Sequence, residues 1–129
     1  MENVRQSPIR VLYVEDEDDI RMVAEIALGG DVFELHACAT GQEAVSKAAD
    51  LNPDVLLLDV MMPGMDGPST LDQLRKLSGL ADTPAIFMTA KVQPSEIQQL
   101  KSLGALDVIA KPFDPMGLAD QLRTILEAA

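Results

Sequence analysis

The chain has 129 residues, 47% of them hydrophobic, with 10 basic against 21 acidic side chains and a formal net charge of -11. That length suits one domain with a sizeable core. The acidic excess repels a nucleic-acid backbone and no Lys/Arg cluster offsets it, no apolar run approaches the roughly 20 residues of a membrane span, and MENVRQSPIR is unlike a signal peptide. The chain therefore reads as cytoplasmic, with neither direct nucleic-acid contact nor membrane insertion.

A first strand around Val11 to Val14 runs into five consecutive acids, Glu15 to Asp19. A helix follows on which Ile20, Val23, Ala24 and Ala27 recur at helical spacing, and Gly29-Gly30 ends it. The second strand, Val32 to Cys38, carries the only histidine, His36, as an edge-strand side chain, and the only cysteine, Cys38, as a small buried residue. Lone residues of these types exclude an intrachain disulfide, a multi-cysteine metal site and any mechanism needing several imidazoles.

Thr40 and Glu43 have capping-box spacing ahead of a helix whose inward face is Ala44, Val45 and Ala48. After Pro53 comes DVLLLD, an apolar run without alternation, as expected of a central parallel strand covered on both faces, and it too ends in an acid, Asp59. In the turn MMPGMDG, Asp66 is placed to cap a helix bearing Leu71, Leu74 and Leu77, with Pro68 in its first turn. A fourth strand spans Ala85 to Met88. Pro94 opens a helix carrying Ile97, Leu100 and Leu103, and Val108 to Ala110 is a fifth strand. Asp114-Pro115 is expected to start the last helix, with Leu118, Leu122, Ile125 and Leu126 as its buried stripe.

Strands alternating with helices in this way imply right-handed crossovers and a mostly parallel sheet covered on both faces. Such a sheet binds ligands beyond the carboxyl ends of its strands, near the point where chain order reverses. The unusual residues fall there: Glu15 and Asp16 after the first strand, Asp59 at the end of the third, Thr89 after the fourth and Lys111 after the fifth. Clustered carboxylates without thiolates favour a hard divalent cation, magnesium being the usual one where a phosphoryl group shares it. Glu17, Asp18 and Asp19 read separately, as caps or favourable charges at the start of the first helix. Gly64 and Gly67 read as turn residues, since no G-x-G-x-x-G follows the first strand.

The whole pattern resembles the receiver domain of bacterial two-component response regulators, most specifically in DVLLLDVMMPGMDG and in AKPF. The resemblance implies a flavodoxin-like doubly wound (βα)5 fold, a five-stranded parallel sheet in the order 2-1-3-4-5, over residues 9–129, with 1–8 as an N-terminal extension. The domain is either stand-alone or excised from a longer chain. By the same resemblance Asp59 accepts a phosphoryl group, and Mg2+, with Mn2+ as a substitute, is held by Asp16, by Glu15 largely through water, by Asp59 and by the Met61 carbonyl. Thr89 is the switch hydroxyl, Lys111 pairs with the phosphate, and Pro112 follows a cis peptide bond. Met62 is read as packing beneath the loop.

The implied partners are a sensor histidine kinase or histidine phosphotransfer protein and an unknown downstream protein. The implied activity is magnesium-dependent self-phosphorylation from a phosphodonor with slow autodephosphorylation. One departure stands out: Val108 occupies the position of the family's switch aromatic. Two other function classes use the same residues. A magnesium-dependent phosphohydrolase with Asp59 as nucleophile would turn over small phosphate esters, although Met61 stands where one such class has a second Asp. A receiver-like binding module would signal without phosphorylation.

Overall fold

The computed structural model describes residues 8–129, so the expected N-terminal extension lies outside the described residues apart from Pro8. The strands are β1 (Ile9–Val14), β2 (Phe33–Cys38), β3 (Val55–Asp59), β4 (Ala85–Thr89) and β5 (Asp107–Ala110). The helices that alternate with them are α1 (Asp18–Ala27), α2 (Gly41–Leu51), α3 (Gly67–Arg75), α4 (Pro94–Ser102) and α5 (Leu118–Glu127). All strand pairs are parallel, in the order β2-β1-β3-β4-β5. This is the flavodoxin-like order expected from the sequence, and its chain reversal puts β1 and β3 side by side at the centre.

β3 is buried at every position because helices cover both faces of the sheet. Leu56, Leu57 and Leu58 are each wholly inaccessible, which stabilises the fold by about 1.5–3 kcal/mol per side chain. Strand alternation divides the core into two layers. Val11, Tyr13, Val55, Leu57, Ile86, Met88 and Ile109 pack on one side with Leu28, Leu118 and Leu122. Leu12, Val14, Leu56, Leu58 and Phe87 pack on the other with Ala44, Ala48, Leu71 and Leu74.

Several helix details depart from the expectations. The Thr40 hydroxyl accepts from the Glu43 amide at 3.0 Å, but Glu43 reaches back to the Ala39 amide (2.9 Å) and not to that of Thr40. Glu17 occupies the N-cap of α1 without a side-chain cap bond, so the expected capping gives way to the favourable charge of Asp18 and Asp19 in the first turn. Leu77 lies beyond the end of α3, yet it packs on the core. Only Leu100 of α4 is buried, and Leu103 is 52% exposed, because α4 lies over the short edge strand β5. On α1 the expected inward Val23 is exposed and Leu28, just past the helix, fills the core in its place.

α5 begins at Leu118, after a turn in which the Asp114 side chain accepts from the Met116 amide (3.0 Å) and the Asp114 carbonyl from the Gly117 amide (3.0 Å). The Asp-Pro pair therefore builds a turn that precedes the helix, a use of Asp that competes with helix capping. Cys38 is buried, and burial, helped by the Glu43 charge, pushes its thiol up to about 11. It is an inert thiol at neutral pH. His36 lies on the edge strand with Nε2 2.6 Å from Glu34 Oε2.

Candidate functional site

The strand register brings the chemistry together before any side-chain contact is considered. Tyr13 lies opposite Leu57, and Asp59 lies opposite Met88, which lies opposite Ile109. Counting in steps of two, Glu15, Asp59 and Lys111 continue one face of the sheet past its carboxyl edge, while Asp16 and Thr89 continue the other. The crevice between the two sets is the switch point of the sheet.

Glu15 is wholly buried and Asp59 is 2% exposed, a placement that carboxylates occupy only when paired or bound to a cation. Lys111 supplies the pairing. Its ammonium is 3.0 Å from Glu15 Oε1 and 3.1 Å from Asp59 Oδ1. The Lys111–Pro112 peptide bond is cis, as the sequence pattern implied. Glu15 is held further by the Glu17 amide on Oε2 (3.2 Å), and its carbonyl accepts from the Arg21 guanidinium (2.8 Å), which also pairs with Asp18.

One ammonium does not fully offset two buried carboxylates. Burial first, then the Glu15 charge, push Asp59 up to about 7, against the lowering influence of Lys111. Burial alone would lower Lys111, but its bonds to Glu15 and Asp59 raise it above its ordinary value. The group is electrostatically short of positive charge.

The donor set fits a hard cation. Ligand oxygens of Glu15, Asp16 and Asp59 lie within 4.8 Å of one another, and Asp16 Oδ1 is buried without a hydrogen-bond partner among the described residues. Three carboxylates gathered this closely, one of them with an unpaired buried oxygen, offer the all-oxygen donor set that hard divalent ions use. Of the remaining acids in the run, Glu17, Asp18 and Asp19 are exposed.

Thr89 is 3% exposed at the end of β4, and its hydroxyl accepts from the Lys91 amide at 3.1 Å. Met61 is 65% exposed on the turn that follows β3. Met62 is buried against the core. The β3–α3 turn closes tightly under Asp59: the Gly67 amide donates to the Val60 carbonyl (3.0 Å), and Asp66 caps α3 by accepting from the Ser69 amide (2.8 Å). A methyl group on Gly67 would lie 2.5 Å from the Asp59 carbonyl oxygen and 2.9 Å from Val60 Cα. Gly67→Ala is therefore expected to destabilise the chain by about 1–3 kcal/mol in urea unfolding, with amide shifts concentrated between Asp59 and Gly67.

Two residues at the site have no counterpart in the sequence reading. Arg21 sits six positions after Glu15 on α1, a spacing that joins it to the strand end only once the helix has turned back. Tyr13 read simply as one member of an apolar strand, although its hydroxyl is the single polar tip in that run.

Known proteins share this sequence pattern and fold. The family model described as the response regulator receiver domain matches residues 11–123. The regulatory protein AtoC of Escherichia coli (strain K12) is 38% identical over 120 residues, 93% of this chain and 25% of AtoC. The transcriptional regulatory protein TrcR of Mycobacterium tuberculosis is 36% identical over 93% of this chain and 46% of TrcR. The chain thus spans a quarter to about half the length of these curated relatives. Among solved structures, Vibrio cholerae chemotaxis protein CheY4 superposes with a TM-score of 0.84 at 32% identity, covering 92% of this chain and 98% of CheY4. A response regulator from Chloroflexus aurantiacus gives 0.82 at 32% identity, covering 93% and 98%. With sequence, strand order and overall shape in agreement, the chain belongs to the response regulator receiver domains, the phosphoacceptor signalling domains of two-component systems.

Proposed function

We propose that Asp59 is the phosphoacceptor, that Glu15, Asp16, Asp59 and the Met61 carbonyl hold magnesium, with manganese as a substitute, and that Lys111 and Thr89 act on the transferred group. The observation that carries this reading is the single ammonium of Lys111 shared between two buried carboxylates at the carboxyl ends of the central strands. The receiver unit is taken as residues 9–129, and the phosphoryl donor as a sensor histidine kinase or histidine phosphotransfer protein in the cytoplasm. Downstream, an unidentified protein reads the change.

An Asp59 carboxylate oxygen forms the new P–O bond as the donor's P–N bond breaks. The bond's electron pair leaves with the imidazole nitrogen, which takes up a proton. Bound magnesium supplies positive charge that offsets the carboxylates and the incoming phosphoryl oxygens. Lys111 is already at the Asp59 oxygen and neutralises charge there as it builds. Thr89, once its hydroxyl turns from the Lys91 amide, donates to a phosphoryl oxygen and carries the change into the loop after β4. Val108 replaces the family's aromatic, so backbone and loop shifts, or phosphotransfer itself, convey the signal. Slow autodephosphorylation returns the free carboxylate.

Incubation with a phosphohistidine donor and magnesium, with acetyl phosphate as a small-donor control, is expected to add about 80 Da, one phosphoryl group, mapped to Asp59 and labile to base and hydroxylamine. Wild type that gains no mass from either donor despite binding metal would reject the reading, whereas a phosphate on Asp18 or Asp66 would relocate the site. Magnesium titration followed by NMR is expected to move amides after β1 and β3, and the affinity is expected to fall as pH drops through about 7, where Asp59 takes up its proton. Unmoved amides would reject the metal assignment.

A further inference from the structure

Tyr13 is the only tyrosine in a chain without tryptophan, and it is wholly buried in the layer of core that lies directly beneath Glu15, Asp59 and Lys111. Its hydroxyl meets hydrogen-bond geometry with no partner among the described residues, an uncommon state for a buried polar atom. The Glu15 and Asp59 carboxylates are near enough to act on it without meeting hydrogen-bond geometry. Burial, then the charges of Glu15 and Asp59, and also a near hydrogen bond to the Glu15 carboxylate that does not close by geometry, raise the phenol's pKa. At neutral pH the group is a phenol on its ordinary acidity alone, and therefore a donor.

Glu15, two residues on and on the same face, is also wholly buried, and both its oxygens are engaged, Oε1 by Lys111 (3.0 Å) and Oε2 by the Glu17 amide (3.2 Å). We propose that Tyr13 is a positioning residue whose hydroxyl takes over Glu15 when the Lys111 ammonium turns to the phosphoryl group on Asp59. The inference rests on phosphorylation of Asp59. A phosphoryl group brings three strongly accepting oxygens to the place where Lys111 already touches Asp59, and draws the ammonium away from Glu15. A carboxylate buried as deeply as Glu15 requires a replacement donor. Tyr13 has one, on the same face, with its hydroxyl already close to Glu15 but outside hydrogen-bond geometry. The exchange keeps Glu15 oriented toward the cation site it shares with Asp16 and Asp59.

Because the chain has a single tyrosine and no tryptophan, the ultraviolet Raman tyrosine doublet reports the hydrogen bonding of the Tyr13 hydroxyl without a label. Magnesium with beryllofluoride, a mimic of an aspartyl phosphate, is expected to convert that hydroxyl from unpaired to donor, and Lys111→Ala to do so without either ion. Tyr13→Phe is expected to bind beryllofluoride roughly tenfold more weakly, the loss of one hydrogen bond to a charged group, while unfolding no more easily than wild type because a buried unpaired hydroxyl has been removed. A packing role alone would lower stability and leave beryllofluoride binding unchanged. An unchanged doublet in wild type that demonstrably binds beryllofluoride, or a Phe variant that binds it as well as wild type does, would overturn the proposal. Wild type that takes up neither phosphate nor beryllofluoride at Asp59 would instead overturn the phosphoacceptor reading, and this inference with it.

Discussion

Asp59→Asn is expected to be more stable than wild type at and above neutral pH, by up to roughly 4 kcal/mol, and never to gain the phosphoryl mass. The sign follows from the direction of the shift. Asp59 is pushed up to about 7 by burial and by Glu15, whereas in the unfolded chain it titrates as an ordinary carboxyl near 3.8. Below the unfolded value the group is protonated in both states and contributes no pH dependence. Between the two values the unfolded chain releases a proton that the folded chain keeps, so stability falls as pH rises through that window. Above about 7 both forms are ionised and the full penalty persists.

Asparagine keeps the shape of the side chain and removes the penalty, at the loss of one of the two carboxylates that Lys111 contacts. Thermal melts of wild type and Asp59→Asn between pH 4 and pH 9 should diverge through this window and run parallel above it. Magnesium should narrow the gap by stabilising wild type selectively. Equal stability across the range would mean that Glu15 and Asp59 do not share the charge shortage their burial implies. A functional group whose removal strengthens the fold fits the view that stability is spent at sites built for chemistry.

Much of this site was legible in the sequence because its residues end strands, and strand ends in a parallel sheet converge. Glu15, Asp16, Asp59, Thr89 and Lys111 could be placed at one edge of the sheet from element order alone, and the register then set Glu15 beside Asp59. The run of acids divided as its chemistry demands, with Glu15 buried and Glu17, Asp18 and Asp19 exposed. Helix faces were less legible. Periodicity gives the direction of a face but not the area available to cover it, so Leu103 and Val23 remained exposed where neighbouring elements are short or distant. The start of α5 was misplaced because Asp-Pro satisfies turn and cap chemistry equally well on paper, and the Asp114 turn prevailed. Tyr13 and Arg21 were hidden for a different reason. Arg21 reaches Glu15 only once the helix has turned back, and the Tyr13 hydroxyl acts on Glu15 and Asp59 through its tip, which neither hydrophobic pattern nor spacing records.

Lys111→Ala is expected to shift stability in the opposite direction, by about 3–5 kcal/mol at neutral pH, and to impair phosphorylation. The lysine is the direct cationic partner of both Glu15 and Asp59, so its loss leaves two buried carboxylates facing each other. Asp59 then titrates still higher than its present value, since the influence that lowers it is gone. Two consequences distinguish this from simple damage to packing. The destabilisation should shrink as pH is lowered and Asp59 takes up its proton, and it should shrink again with added magnesium, which restores positive charge to the cluster. Adding Asp59→Asn to Lys111→Ala should recover much of the lost stability, a coupling between neighbours that independent sites would not give. Phosphorylation by acetyl phosphate should be weak at pH 7 and partly recover at higher pH, because the nucleophile must be ionised while its counter-charge is missing. If the Lys111→Ala loss were independent of pH and of magnesium and simply added to the Asp59→Asn effect, Lys111 would be acting through its packing alone, and its role in neutralising the phosphoryl group would have to be abandoned.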